Sequence, residues 1–476
     1  MEKEVFIESL AALVGRANVI ESTQDMAGYL IDVRRRYHGE ALCVVSPAST
    51  DEVAAVVKLC AAASVPITPV GGNSGLVGGA CARTHVPGIL LSLKRMNRVR
   101  ELSTVDDTIT VDAGCVLADV QAAAAAVDRL FPLSLSAEGS CQIGGNISTN
   151  AGGVCAVRYG TMRQLVLGLE VVLPNGNILD GMLRLRKDNT GYDLKQMFIG
   201  AEGTLGIVTG AVLKLFPAPH TSATAMLAVD SVDNALQIFA LLRQRFSERV
   251  TSFEIISARY VALVCKNVEG VRPPFASPPS WQLLVELTDS NAQADLQTPF
   301  EQALADVLEA NLASDAIIAQ TESQAAALWR LRHGVSDAIR YAGPNMSHDS
   351  SVPLDKQPEF ARRVDEQLSA AFPDAQVLMV GHLGDGNMHV VVLFAPDRFA
   401  SDDAYLEVSE AIDLIIDDVV VALHGSISAE HGIGLSYRYR LSRTTSADEL
   451  ALMQQLRNVF DPQGIMNPGK LFLGGR

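Results

Sequence analysis

Three glycine-rich stretches fall within the first 210 residues, and they constrain the fold more than any other feature. The first is Pro69-Val-Gly-Gly-Asn-Ser-Gly-Leu-Val-Gly-Gly79, with five glycines in the nine residues from Gly71. Such a density excludes a helix or a regular strand there. The second runs Ala137-Glu-Gly-Ser-Cys-Gln-Ile-Gly-Gly-Asn-Ile-Ser-Thr-Asn-Ala-Gly-Gly153 and ends at Arg158-Tyr159-Gly160. The third is Gly200-Ala-Glu-Gly-Thr-Leu-Gly206-Ile-Val-Thr-Gly210. Backbone of this kind exposes successive N–H groups and lets a phosphate come close. The first loop follows directly on the strand signal Val65–Val70 and carries Leu76 and Val77, which favour burial. Three such clusters in order suggest backbone wrapped along one extended, phosphate-bearing ligand.

The usual phosphate-binding signatures are missing. None of the 37 glycines begins a G-x-G-x-x-G, and no G-x-x-x-x-G-K-[ST] occurs. A Rossmann dinucleotide site and a P-loop both lose ground. The formal charge of −16 argues against nucleic acid and against an anionic membrane surface. The seven cysteines, Cys43, Cys60, Cys81, Cys115, Cys141, Cys155 and Cys265, are odd in number and form no C-x-x-C pair. That pattern fits a reducing compartment, expected to be the cytoplasm. Met1–Val5 reads as neither a signal nor a transit peptide. No run approaches 18 uninterrupted apolar residues, so no membrane span is expected.

At 476 residues the chain suggests about three domains. Residues 1–40 read as helical and polar-faced. Strands are expected at Leu42–Val45, Val65–Val70, Gly88–Leu93, Thr108–Ala113, Leu165–Leu173 and Asn177–Leu179, the last two joined by the turn Pro174-Asn175-Gly176. Helices are expected at Thr50–Ala63 and Val116–Val127. Past Pro217 glycine thins, and the segment 214–222 is the expected domain boundary. Strands then alternate with helices: strands at Ala223–Val229, Val250–Ile256, Trp281–Leu287, Ala316–Ile318 and Ser350–Pro353, helices at Val232–Phe246, Ala292–Leu312, Ser323–Arg340 and Pro358–Phe372. Such alternation feeding one antiparallel sheet fits an α+β cap.

Six of the nine histidines lie after residue 330. In Gly381-His-Leu-Gly-Asp-Gly-Asn-Met-His389 two of them flank a turn between the strands Ala375–Val380 and Val390–Phe394. A hairpin through Gly384-Asp385-Gly386-Asn387 makes His382 and His389 a cross-strand pair, with Cβ atoms about 5 Å apart. Paired imidazoles can share a divalent metal, or they can be ordinary turn-flanking histidines. Further on, Gly425-Ser-Ile-Ser-Ala-Glu-His-Gly-Ile-Gly434 sets Glu430 beside His431. On extended backbone these two point to opposite sides and do different jobs. Glu430 can complete a His₂Glu set, and His431 can serve as a base.

The combination of Pro69–Gly79, Gly139-Ser-Cys-Gln-Ile-Gly-Gly145 with Asn150-Ala-Gly-Gly153, and Lys187-Asp-Asn-Thr-Gly-Tyr-Asp-Leu194 with Gly200–Ile207 resembles the flavin domain of the vanillyl-alcohol oxidase/p-cresol methylhydroxylase superfamily. Within it the chain is most similar to the FAD-linked D-2-hydroxyacid dehydrogenases, the D-2-hydroxyglutarate and D-lactate dehydrogenase group. The resemblance runs from about Ala41 to Leu471. It implies an α+β fold: a two-subdomain FAD-binding domain of p-cresol methylhydroxylase (PCMH) type over 1–216, a substrate cap with an antiparallel sheet over 217–415, and a C-terminal segment, 416–476, returning to the flavin. The tail Phe460-Asp-Pro-Gln-Gly-Ile-Met-Asn-Pro-Gly-Lys470 matches the family's closing motif. FAD is implied to be non-covalent, since the 69–79 loop offers no attachment histidine. The implied flavin residues are Pro69, Gly71, Gly72, Asn73, Ser74, Gly75, Gly78, Gly139, Ser140, Ile143, Gly144, Gly145, Asn150, Gly152, Gly153, Tyr159, Gly160, Glu202, Gly203, Gly206, Ile207 and Asn467.

The resemblance makes His382, His389 and Glu430 the ligands of a divalent metal, expected to be zinc, with manganese or iron as alternatives. It makes His431 the base and places Arg332, with Ser336 at i+4, on the substrate carboxylate; on pattern alone Arg332 is equally a solvated helical arginine. The implied reaction is oxidation of a D-2-hydroxy acid to the 2-oxo acid, with hydride passing to flavin N5. A flavin oxidase using oxygen and a non-flavin metal hydrolase are the alternatives. An electron-transfer flavoprotein or a quinone is the implied acceptor, and a homodimer the expected assembly. Three positions depart from the family pattern. Ser347 stands where Lys-x-Asp-x-Ser-x-Pro has its lysine, Val391 where the hydroxyglutarate enzymes tend to carry asparagine, and Tyr437 where a lysine is common. The first two remove polar groups from the pocket and weaken the case for a dicarboxylate, with His348 as the group that can compensate.

Overall fold

A computed structural model of the chain describes residues 2–82 and 87–473. It contains two compact units: Met1–Gly152, Gly160–Ala218 and Glu430–Arg476 form the first, and Gly153–Tyr159 with Pro219–Ala429 the second.

The first unit holds two main sheets. In one, β1 (Val19–Ile20), β2 (Ala41–Val45), β3 (Ile67–Val70) and β4 (Gly88–Ser92) lie in the order β1-β2-β4-β3, with β2, β4 and β3 parallel. Parallel strands must be covered on both faces, and Gly88–Ser92 is buried along its whole length. The helix Thr50–Ala63 supplies the crossover between β2 and β3, and the Ser49 hydroxyl caps it by accepting from the Glu52 N–H at 3.2 Å. The other sheet is antiparallel, in the order β5-β6-β10-β8-β9, and comprises β5 (Val99–Ser103), β6 (Thr108–Asp112), β8 (Val166–Val172), β9 (Ile178–Gly181) and β10 (Ile207–Lys214). A short pair joins β7 (Arg129–Leu130) to β11 (Phe216–Pro217). The C-terminal tail returns to this unit. Ile67 N–H donates to Ile465 C=O and Asn467 N–H to Ile67 C=O, both at 2.8 Å, so the tail runs beside β3.

The second unit is built on one antiparallel sheet of seven strands, ordered β15-β12-β14-β13-β17-β18-β16. These are β12 (Thr221–Val229), β13 (Val250–Ser257), β14 (Trp281–Asp289), β15 (Asp315–Ile318), β16 (Asn345–Ser351), β17 (Gln376–His382) and β18 (Asn387–Leu393). One apolar cluster on this unit joins Met226, Ile256 and Leu284 to Leu378, Val380 and Val391, with Tyr260, Val264 and Leu331 from the helices above. No helix among the described residues is long and apolar enough to cross a membrane.

Several expectations need correction. The helix Lys3–Val14 buries Phe6, Ile7, Leu10, Ala11 and Val14, so the first forty residues are not simply polar-faced. Glycine hid two elements: the helix Ile143–Ser148 lies inside the second cluster and β10 begins inside the third. The edge strand β5 and the helix Ala258–Asn267 were not foreseen either. The helix read as Ser323–Arg340 is two helices, Glu322–His333 and Val335–Arg340, separated at Gly334. Position 416, read as the start of a C-terminal segment, lies inside the helix Asp402–Ala422, and the chain passes back to the first unit at Glu430. Gly153 and Tyr159, both assigned to the flavin domain, belong to the second unit.

Candidate functional site

The first unit carries a half-open cavity, about 980 Å³ counted with the solvent space at its mouth, walled by all three glycine clusters. Pro69, Gly71, Gly72, Asn73, Ser74 and Gly75 line it from the first cluster, Gly144 and Gly145 from the second, and Glu202, Gly203, Gly206 and Ile207 from the third, with Asn467 from the tail. The loops need glycine for contact as well as for access. A Cβ on Gly72 would stand 1.9 Å from the Ser140 carbonyl oxygen, whereas a Cβ on Gly75 or Gly145 would meet nothing within 4 Å. Gly72 lets two loops touch, and the other two leave open space.

Three side-chain oxygens of the wall lack partners. Gln142 Oε1, Asn146 Oδ1 and Asn467 Oδ1 are buried without a hydrogen bond. Among the described residues no protein acceptor takes the N–H of Gly72, Asn73, Ser74 or Gly75. Buried polar atoms left unpaired cost about 1–3 kcal/mol each, so they point to a ligand that supplies partners. Such a wall fits an extended cofactor with phosphates, hydroxyls and ring N–H groups. Glu202 closes one side. Its carboxylate accepts Ile433 N–H and Gly434 N–H, each at 2.8 Å, and burial, outweighing these bonds, raises its pKa. Asn467 is held at φ 41° by its Nδ2, which donates to Glu202 C=O at 2.7 Å and Gly79 C=O at 3.0 Å. Lys470 is fully buried behind it and donates to Cys81 C=O at 2.7 Å; burial takes its pKa down to about 8.

The remaining expected flavin residues lie off the wall. Gly78 faces the Tyr37 ring, and Ser140 supplies the carbonyl that packs on Gly72. Ile143 is fully buried. Asn150 Oδ1 accepts from Thr161 Oγ1 and Arg163 N–H, each at 2.9 Å. Gly152 and Gly160 pack against Thr161 and Gln164, and Gly139 faces open space. Tyr159 has Arg158 over its ring at 4.9 Å. In their place the wall takes Val70, Val77, Gly79, Ala80, Gln142, Asn146, Ser148, Thr149 and His431. His431, expected as a base on motif grounds, thus stands on the cavity wall of its own unit. Its Nε2 lies 3.6 Å from Glu430 Oε1, so these neighbours do not point to opposite sides. The segment bends instead of running extended.

In the second unit the hairpin is present with a different register. His382 pairs with Asn387, and His389 with Val380. The two histidines therefore meet diagonally and not directly across, with ring centroids 5.5 Å apart at 84°. The turn is a short 3-10 stretch, Leu383–Asp385, followed by Gly386 at φ 86°. The pattern did not disclose Glu254, the direct partner of His382 across β13 and β17. Glu254 Oε1 lies 2.9 Å from His382 Nδ1. Its Oε2 accepts from both Arg332 Nε and Arg332 Nη2 at 2.7 Å. Burial alone would raise the Glu254 carboxyl, but His382 and Arg332 outweigh it and hold it below the usual carboxylate range. An ionised carboxylate only accepts, so His382 Nδ1 carries a proton in this contact. A neutral ring with its proton on Nδ1 is the tautomer a metal needs, and imidazole and carboxylate donors of this kind suit a divalent ion. Asp349, fully buried, lies 3.6 Å from His389 Nδ1 and accepts from Asn387 Nδ2 at 2.9 Å. Arg332 is buried, while Ser336, on the next helix, is exposed. Ser347 and Val391 are direct partners across β16 and β18, and His348, facing away from them, pairs with Asp413 at 2.6 Å.

Comparison with known proteins agrees along the chain. Residues 218–471 match the family model described as FAD linked oxidases, C-terminal domain, and residues 41–181 match an FAD binding domain. A D-2-hydroxyglutarate dehydrogenase of Xanthomonas citri pv. viticola is 38% identical over 468 residues, covering 98% of this chain and 96% of that protein. A D-2-hydroxyglutarate–pyruvate transhydrogenase of Saccharomyces cerevisiae is 34% identical, covering 94% and 90%. The solved structure of p-cresol methylhydroxylase with substrate bound shares the fold at a TM-score of 0.75 and 17% identity, covering 98% and 96%.

Proposed function

The chain belongs to the FAD-linked oxidase family as an FAD-dependent dehydrogenase, related along nearly its whole length to D-2-hydroxyglutarate dehydrogenases, and from that premise we propose a metal-assisted oxidation of a D-2-hydroxy acid to the 2-oxo acid. The observation that supports the proposal is His431 on the wall of the cavity lined by the three glycine clusters.

FAD, when bound, would supply the two-electron acceptor for the hydride from C2. A divalent ion, zinc or else manganese or iron, would supply Lewis acidity toward the substrate hydroxyl. In this reading His382, His389 and Glu430 would hold the ion. The imidazole of His431 takes the hydroxyl proton as general base. Arg332 orients the substrate carboxylate: Glu254 occupies its Nε and Nη2, and Nη1 takes no part in that pair. A guanidinium fork suits a carboxylate better than a point charge does. Ser336 is proposed to assist at the same end. Gly72–Gly75 offer N–H groups to the FAD phosphates, and Gln142, Asn146 and Asn467 offer amides to its polar atoms.

The tail of the substrate is proposed to be short or apolar. Ser347 and Val391 stand opposite each other on the face that also carries His389 and Asp349, and Val391 packs with Leu378 and Val380. That patch brings no cation to a second carboxylate. The electron acceptor is proposed to be a flavoprotein or a quinone, and the compartment the cytoplasm. The test is a panel of D- and L-2-hydroxy acids mixed anaerobically with the purified holoenzyme. The reading expects flavin bleaching by the D-enantiomers of short-tailed acids, and bleaching by L-enantiomers alone would overturn it. Peroxide formation at the full turnover rate would replace the dehydrogenase acceptors with oxygen.

A further inference from the structure

Glu254 belongs to none of the sequence motifs and lies 128 residues before His382. The register of two neighbouring strands of the sheet nevertheless makes these residues direct partners. Both carboxylate oxygens are used: Oε1 for His382 Nδ1 at 2.9 Å and Oε2 for the Nε and Nη2 of Arg332 at 2.7 Å. The side chains of Glu254 and Arg332 are 1% and 8% exposed, so water does not compete for these bonds. A carboxylate pinned at both ends cannot swing away from the imidazole.

We propose that Glu254 is a positioning residue that couples the metal ligand His382 to the substrate-orienting Arg332, fixing the imidazole tautomer through one oxygen and the guanidinium through the other. The proposal rests on the metal reading above. It makes one buried acid responsible for two ends of the same substrate: the ligand that presents the ion to the hydroxyl and the cation that meets the carboxylate. His389 Nδ1 lies 3.6 Å from Asp349 Oδ1, which also accepts from Asn387 Nδ2. Partners behind metal-bound histidines set ring orientation and basicity, and losing one typically costs about 10- to 100-fold in metal affinity.

Glutamine cannot replace the carboxylate. Its single oxygen can accept from His382 or from Arg332, and its NH₂ then faces the other. Turned toward His382, the NH₂ donates to Nδ1 and moves the imidazole proton to Nε2, the tautomer that cannot bind the ion.

Zinc affinity is measured by chelator competition on flavin-loaded wild-type, Glu254→Gln and Glu254→Asp enzyme. Glu254→Gln is expected to bind zinc about 10- to 100-fold more weakly, with flavin content unchanged and a raised KM. Glu254→Asp keeps an ionised acceptor and is expected to lose less. Zinc affinity within about twofold of wild type in Glu254→Gln would overturn the proposal while leaving the metal reading in place. Wild-type enzyme that takes up no stoichiometric divalent metal, zinc, manganese or iron, would remove both. If Glu254→Gln does not fold, ¹⁵N NMR of the metal-free wild-type imidazoles decides. The His382 signal is expected to report a protonated Nδ1, and a proton on Nε2 with Nδ1 bare overturns the proposal.

Discussion

At the scale of single residues, the account depends on a few close contacts. Gly72→Ala places a Cβ 1.9 Å from the Ser140 carbonyl, so two cavity loops must separate. Overpacking of this kind costs about 1–3 kcal/mol, and here it falls on the cofactor wall. The expected outcome is a purified variant with little bound FAD, read from its absorbance after denaturation; full flavin content would show that the loops are not in the contact described. His382→Ala is expected to lose bound divalent metal and turnover together, and unchanged metal content would remove His382 from the ligand set. Much of this detail was legible in the chain. Glycine density marked the cavity wall because a backbone that meets phosphate or another loop must shed its side chains. The two histidines were legible as a pair, but their diagonal offset was not, since it depends on where the turn ends and β18 begins. Glu254 was invisible because its partners come from strand register and not from neighbouring sequence.

At the scale of elements, the edge of the antiparallel sheet of the first unit is tied by charge. Asp112, fully buried at the end of β6, accepts from Arg98 Nε at 3.0 Å and from Arg100 Nε at 2.6 Å. Burial works to raise the Asp112 carboxyl, but the Arg100 and Arg98 hydrogen bonds outweigh it, so its pKa is lowered. A carboxyl depressed in the fold stabilises it above its unfolded pKa of about 3.9, and that contribution fades as pH falls through the folded value. Asp112→Asn is therefore expected to cost about 2–3 kcal/mol at pH 7, discounted from a fully buried pair because the arginines reach solvent. The gap to wild type should close below about pH 4. Urea unfolding at both pH values checks this, and a gap independent of pH would contradict it. Elements built from apolar runs, such as Val232–Phe246, were legible end to end. Those built inside glycine clusters, Ile143–Ser148 and β10, were not. There tertiary packing overrides a composition that disfavours both helix and strand.

At the scale of the whole molecule, the chain order does not follow the units. Residues Gly153–Tyr159 leave the first unit for the second, the chain returns at Gly160, leaves again at Pro219 and comes back at Glu430. Composition changes near Pro217, and a span of the first unit ends at Ala218, but seven residues lent to another unit leave no compositional trace. The account assigns FAD to the first unit alone, so cofactor binding should stabilise that unit. At a free FAD concentration one hundred times its dissociation constant, the expected gain is about 2.7 kcal/mol. It should appear as a higher unfolding temperature of the flavin-loaded protein over the stripped one, and equal temperatures would contradict it.

The central claim is that FAD and a divalent ion act on one D-2-hydroxy acid, and one experiment reaches it most directly. Holoenzyme, chelator-stripped enzyme and stripped enzyme resupplied with zinc, manganese or iron are each mixed anaerobically with matched D- and L-2-hydroxy acids, and flavin absorbance is followed. The account predicts rapid bleaching by the D-enantiomer in the holoenzyme, loss of bleaching on stripping, and recovery with at least one of the ions. Bleaching that survives stripping, or that does not distinguish the enantiomers, would contradict it.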